Sequence, residues 1–320
     1  MNINVLKMKR FLIYFFSVLV PIVLILGIGE YLVRQVPNPY KYKEEWMEKH
    51  HGEVEILVFG ASHTYYGIKP DLLGEKAFSL ANNSQSLKYD YFLLNKFDCP
   101  NLKMIVLQVS YPTLFFGNLE DSFEWYRAIN YKIYMDYPEH SDFSRYNFEF
   151  TNMEVFKAKL SKYFNPTEDV GFDKYGMGTA YKLSNKDSAT WNEASALVAV
   201  KSHTLKDGDW DEAMRNLKVK CGILDDIVSM CQKRNILMVM VTTPCWEEYV
   251  KHIDEQQWAI VKKVSSEYSK RRNVFYFDYF KDNRFNSDDF YDSNHLSDVG
   301  AVKLTKILKD DIQKSIDAHQ

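Results

Sequence analysis

Five short apolar runs, separated by stretches with helical periodicity, restrict this chain to an α/β fold with a parallel sheet. The runs cover 54–59, 77–81, 104–109, 236–241 and 274–277. Met104-Ile105-Val106-Leu107-Gln108-Val109 is nearly all apolar, as a strand covered on both faces would be. Between the runs, Leu87, Tyr91 and Leu94 recur at helical spacing, with Ser84 or Ser86 placed to cap. Leu217, Cys221, Leu224, Ile227, Val228 and Cys231 mark a helix over 209–233. A short helix is expected over 64–73, broken near Lys69-Pro70-Asp71, another over 247–270, and a closing amphipathic helix over 301–315. Strand and helix alternate, and five strands with interleaved helices predict a flavodoxin-like three-layer sandwich with a five-stranded parallel sheet.

The rhythm fails at Tyr111-Pro112. From about 112 to 204 the chain is irregular and rich in aromatics, among them Trp125, Tyr126, Tyr131, Tyr134, Tyr137, Phe148, Phe150 and Phe164. It reads as an insertion at one edge of the sheet, either with its own small aromatic core or as a lid whose rings stack on sugars. No internal repeat or low-complexity tract accompanies it.

Residues 11–28, FLIYFFSVLVPIVLILGI, carry no charge and are about long enough to cross a bilayer, with Lys7, Lys9 and Arg10 just before them. The positive-inside tendency puts 1–10 in the cytoplasm, 11–33 in the membrane as a single-pass anchor, and everything after Glu30 outside, in a periplasm or at a cell surface. A cleaved signal peptide is the competing reading, although no small-x-small cleavage site follows Ile28. Pro21 is compatible with a membrane helix. Residues 34–52, with Pro37, Pro39 and the charged run KYKEEWMEKHH, read as a stalk with a short helix, and 53–317 as the exported domain. A net charge of −3 gives no reason to expect a nucleic-acid partner. The cysteines Cys99, Cys221, Cys231 and Cys245 lack C-x-x-C spacing and neighbouring histidines, so neither a metal nor a cofactor is expected. Cys221 and Cys231, ten apart on one helix, are too distant to bridge.

In a parallel α/β sheet the loops leaving the carboxyl ends of the strands share one rim. Gly60-Ala61-Ser62-His63 leaves the first strand there, Asn82-Asn83-Ser84 the second, Ser110 the third, Thr242 and Thr243 the fourth, and 278–295 the last. Ser62 needs a base to be nucleophilic, and Asp292-Ser293-Asn294-His295 offers one. His295 would take the serine proton, and Asp292, three residues before it, would hold the ring tautomer. Asp288 and Asp289 are alternatives of poorer spacing, and Asp298 is placed to cap the closing helix. His63 either shapes the oxyanion side or has a structural role at a helix start. His203 and His252 read as surface residues.

Serine after the first strand, in a G-x-S-H block, and Asp-x-x-His before the last helix resemble the SGNH or GDSL-like hydrolase and acyltransferase superfamily, over about 54–317. The resemblance implies a Ser62–His295–Asp292 triad and an oxyanion hole from the serine N–H, a glycine after the second strand and an asparagine after the third. This chain has neither of the last two. A Ser84 backbone donor with the Asn82 or Asn83 side chain would have to substitute, with His63 and Ser110 nearby. The same departures resemble the membrane-anchored subset that includes alginate O-acetyltransferases and the D-alanyl transfer protein of teichoic acid loci. That subset implies O-acylation of an exported polysaccharide beside a membrane-bound O-acyltransferase as donor. A carbohydrate esterase with the same triad, or an inactive SGNH-like scaffold in envelope assembly, are the alternatives.

Overall fold

A computed structural model of the protein describes residues 3–141, 144–187 and 191–319. The chain divides into two compact units. One contains Met1–Lys41 and Tyr126–Val170, the other Tyr42–Trp125 and Gly171–Gln320.

The second unit carries the sheet: β1 (Ile56–Phe59), β2 (Ala77–Ser79), β3 (Met104–Gln108), β4 (Leu237–Thr242) and β5 (Val274–Asp278). All pairings are parallel and the order is β2-β1-β3-β4-β5. This is the flavodoxin-like order, in which the chain first steps outward from β1 to β2 and then returns to β3 on the other side, opening a crevice at the strand ends. Val58, Val106, Val239 and Val241 join Leu304, Leu308 and Ile312 of the closing helix in one buried cluster, so burial on both faces explains the apolar strands. Helices span Leu87–Lys96, Trp210–Lys233 and Asp298–His319.

Several local expectations change. The helix foreseen over 247–270 is two, Glu247–Lys251 and Glu255–Ser269, because Asp254 accepts the Gln257 N–H at 2.6 Å and caps a fresh start. Ser297, not Asp298, caps the closing helix by accepting the Gly300 N–H at 3.2 Å. Asp298 instead accepts the Leu183 N–H at 2.8 Å, tying down the 180s segment. Ser86 sits at the N-cap of the Leu87–Lys96 helix without a side-chain cap bond. The four cysteines are free.

The stretch foreseen as a stalk is helical over Pro39–His50. In its later part Trp46 stacks on Phe78 of β2, with centroids 3.8 Å apart, and Lys43 and Met47 are fully buried. The 171–178 turn also covers the β2 edge, Ser79 donating its N–H to Tyr175 O at 2.9 Å.

The first unit carries the Ile3–Val33 helix, the one helix among the described residues long and apolar enough to cross a membrane. Met153–Phe164 packs at its carboxyl end, Phe156 against Gly29, and Ala128–Met135 belongs to the same unit. Glu30 accepts the N–H groups of Glu149 at 3.0 Å and Phe150 at 3.3 Å. Half of the aromatic segment foreseen as one insertion thus belongs with the N-terminal helix; regular helices were hidden there by rings at every register.

Candidate active site

Chain direction at the end of β1 is set by Gly60, whose φ of +120° suits glycine alone. A Cβ there would lie 2.4 Å from Gln108 Cβ. The sharp turn lets the Ser62–Gly67 helix begin on the strand rim with Ser62 at its first position. Gln108, the last residue of β3, braces this turn: its Oε1 accepts N–H bonds from Ala61 at 2.9 Å and Thr64 at 3.3 Å. On the other side Gly60 donates its N–H to the buried Asp90 at 2.9 Å.

A second turn brings the base. Phe290 and Leu296 pair as an antiparallel bridge and sink into the core, and Tyr291 N–H bonds to His295 O at 3.0 Å. Between these anchors, residues 291–295 form a closed loop. Gly300 lets the closing helix approach it, since a Cβ there would lie 1.9 Å from Asp289 O. Within the loop the Asp292 carboxylate accepts the backbone N–H of His295 at 2.8 Å and of Asn294 at 3.0 Å. It also lies 2.9 Å from His295 Nδ1 through either oxygen.

Ser62 Oγ lies 2.8 Å from His295 Nε2. With Nδ1–H held by Asp292, Nε2 has the free lone pair and accepts the hydrogen bond of the serine hydroxyl. Burial pushes the Asp292 pKa up, but the adjoining His295 ring and the N–H bonds outweigh it and hold the carboxyl below its ordinary value. Asp292 is therefore the ionised orienting group at neutral pH.

His63 stacks on His295 with ring centroids 4.7 Å apart. Burial, reinforced by the proximity of His295 and His203, pushes its pKa well below the ordinary imidazole value. It is neutral, and its Nδ1 accepts from Gln108 Nε2 at 3.3 Å. Its Nε2 lies 3.4 Å from Asn294 Nδ2. His63 is thus a packed, neutral wall behind the base. His203, foreseen on the surface, is half-buried and 2.7 Å from Tyr249 OH, and burial lowers its pKa to about 4.

The other foreseen residues divide. Asn82 is buried with both carboxamide ends engaged, Oδ1 by Lys43 Nζ at 3.1 Å and Nδ2 by Gln85 at 3.4 Å. It braces this loop. Ser110 Oγ bonds Gln108 at 3.1 Å and Thr113 at 2.5 Å inside the fold, again a structural place. Asn83 is half-buried and donates to Tyr66 OH at 3.0 Å. Ser84 adopts a left-handed φ of 57° and its hydroxyl bonds Glu124.

Sequence reasoning missed three contributors. Gln108 was legible as a polar residue ending an apolar strand. Lys43, fully buried with its Nζ on Ala81 O and Asn82 Oδ1 and 4.5 Å from the Tyr65 ring centroid, gave no signal within a charged run. Tyr181 stacks between Tyr66 (3.9 Å) and Tyr291 (4.4 Å) and meets His295 edge-on at 5.1 Å, forming an aromatic column beside the base. Behind the 292–295 loop a cleft of about 700 Å³ is lined by Trp246, Phe285, Phe290, Lys281 and Asn286. One group among the described residues has metal-like spacing, Glu193, Glu248 and His252, with ligand atoms within 4.8 Å. It is a surface group in which His252 pairs with Glu193 and Lys251 with Glu248.

No family model matches the sequence. A "Putative transcriptional regulator tpeD" from Talaromyces stipitatus is 47% identical over 47 residues, 15% of this chain. The chain spans 6% of that relative's length. Among solved structures, "a putative platelet activating factor from Streptococcus pneumonia" is similar at 13% identity and a TM-score of 0.41, over 92% of this chain and 97% of that one. Neither similarity assigns the chain to a family, and what the site can do rests on its own side chains.

Proposed function

We propose that this protein is a serine acyltransferase that moves an acyl group, acetyl in the simplest case, onto a hydroxyl of an exported or cell-surface polysaccharide. The observation that carries the reading is the hydrogen-bonded line from Ser62 Oγ through His295 to Asp292. Ser62 Oγ attacks the donor's acyl carbonyl as its proton passes to His295 Nε2. The tetrahedral intermediate collapses, the leaving group takes that proton, and an acyl ester remains on Ser62. A sugar hydroxyl then gives its proton to His295, attacks the ester and leaves acylated, and Ser62 recovers the proton.

The developing oxyanion would be met by backbone N–H groups, that of Ser62 at its helix start and those of the Asn83-Ser84 loop. Ser84 has a left-handed backbone, φ 57°, a conformation glycine adopts most readily, which supports it as the stand-in for the glycine of the related pattern. In the Tyr66–Tyr181–Tyr291 column Tyr66 is buried and Tyr181 is stacked on both faces. The half-buried Tyr291 at its end is the ring that supports a sugar acceptor, since an aromatic face suits the apolar face of a pyranose. The apolar N-terminal helix supports a place at the membrane, beside a membrane-bound O-acyltransferase as donor and with the site on the outer side.

The test is partition of the acyl-enzyme. Full-length protein in detergent, loaded with p-nitrophenyl acetate and followed by intact mass, should show a Ser62-dependent acetyl adduct that oligosaccharide discharges faster than water does. Discharge at a rate that sugar leaves unchanged would make the protein an esterase.

A further inference from the structure

The N-terminal unit turns an apolar edge outward. In the Met153–Phe164 helix the packing side is marked by buried Phe156, whose ring end would lie 2.7 Å from a Cβ on Gly29. Gly29 immediately follows the apolar run 11–28, whose large side chains are exposed. Flanking the packing side, Met153, Lys157, Leu160 and Phe164 recur at i, i+4, i+7 and i+11, a single helical edge. Met153 is 46% and Phe164 65% exposed, and Phe148, stacked on Phe150, is 42% exposed. This edge is fixed against the N-terminal helix. The Glu30 carboxylate takes the Glu149 and Phe150 N–H groups and Arg34 Nε at 2.8 Å, and Lys159 pairs with Glu149 at 2.6 Å.

Two features say what covers the edge. Its helix packs where the apolar run of the N-terminal helix ends, at the contact of Phe156 with Gly29. The charge on the stripe itself is basic, Lys157 lying within it, while Glu154 lies to one side and Lys162 on the opposite side of the helix. Lysines of this kind lay their stems along apolar surface and reach phosphates with their heads.

We infer that the Met153–Phe164 helix lies in the headgroup layer of the leaflet from which the N-terminal helix emerges. Met153, Phe164 and Phe148 sink about 5–10 Å toward the acyl boundary, and Lys157 meets the phosphates of anionic lipid. The inference rests on the N-terminal helix lying in a bilayer and is independent of the chemistry at Ser62.

Nitroxide labels at Met153→Cys and Phe164→Cys test it, with Glu154→Cys and Val219→Cys as aqueous references. The background is full-length Cys221→Ser protein, whose other three cysteines are buried, in phosphatidylcholine nanodiscs with and without phosphatidylglycerol. Labels at 153 and 164 should collide with oxygen and be shielded from a nickel chelate, and the references should behave in the opposite way. Lys157→Glu should raise nickel access at 153 and 164 several-fold in the anionic discs alone. Nickel access at 153 and 164 equal to that at 219 would overturn the inference. So would an aqueous label in nanodiscs that becomes shielded from both reagents only in native membranes, which would assign the edge to a protein partner. A charge reversal without effect would overturn the phosphate contact.

Discussion

The imidazole of His295 is confined on every side. Asp292 holds Nδ1 at 2.9 Å, Ser62 faces Nε2 at 2.8 Å, His63 lies against one ring face and Tyr181 meets it edge-on. Such a ring has one tautomer and one orientation, which a general base requires before a substrate arrives. Asp292→Asn keeps the shape of the loop but can donate to Nδ1 and so favours the wrong tautomer. We expect Ser62 acylation to slow by about 10³–10⁴-fold with the melting temperature nearly retained. A loss below tenfold would show that Asp292 does not orient the base.

Between elements, Gln108 joins the end of β3 to the turn that follows β1. Replacing it with leucine leaves the Ala61 and Thr64 N–H groups without their acceptor, at about 1–3 kcal/mol for each buried group left unpaired. The expected outcome for Gln108→Leu is a lower melting temperature and slower acylation in the fraction that remains folded. Unchanged acylation per folded molecule would mean that Ser62 is placed without this brace. The strands, the principal helices and the 292–295 turn were legible in the sequence because apolar spacing and turn chemistry are local signals. Ser62, Asp292 and His295 could be grouped because parallel strands deliver their loops to one rim. Gln108, Lys43 and Tyr181 act through contacts with residues far along the chain, such as Lys43 with Ala81 O, and that distance leaves no local pattern. The bonds that Asn82 and Ser110 make were hidden for the same reason. Their side chains already satisfy buried neighbours that only the fold reveals.

Across the whole molecule, burial leaves a mark on stability through Asp90. It accepts the Gly60 N–H and Gln85 Nε2, but burial dominates and raises its pKa from 3.8 to about 7. At pH below 3.8 the group is protonated in both states and does not affect folding. As pH rises toward 7 the unfolded chain gives up its proton while the folded one keeps it, so stability falls and levels off above about pH 7. Asp90→Asn keeps an acceptor for Gly60 and removes the titration. Its melting temperature should gain on that of the native protein between pH 5 and pH 8, by the equivalent of a few kcal/mol at most, since each pH unit that separates the folded and unfolded pKa is worth about 1.4 kcal/mol. Parallel curves would place the pH dependence elsewhere. At the centre of the proposed chemistry, His295 activates Ser62 as the nucleophile. The most direct measurement is labelling of the full-length folded protein with a fluorophosphonate, followed by peptide mapping. A single phosphonyl adduct on Ser62, absent from Ser62→Ala and strongly reduced in His295→Ala, is the predicted result. Folded protein that takes no label, or takes it equally without Ser62 or His295, would contradict it.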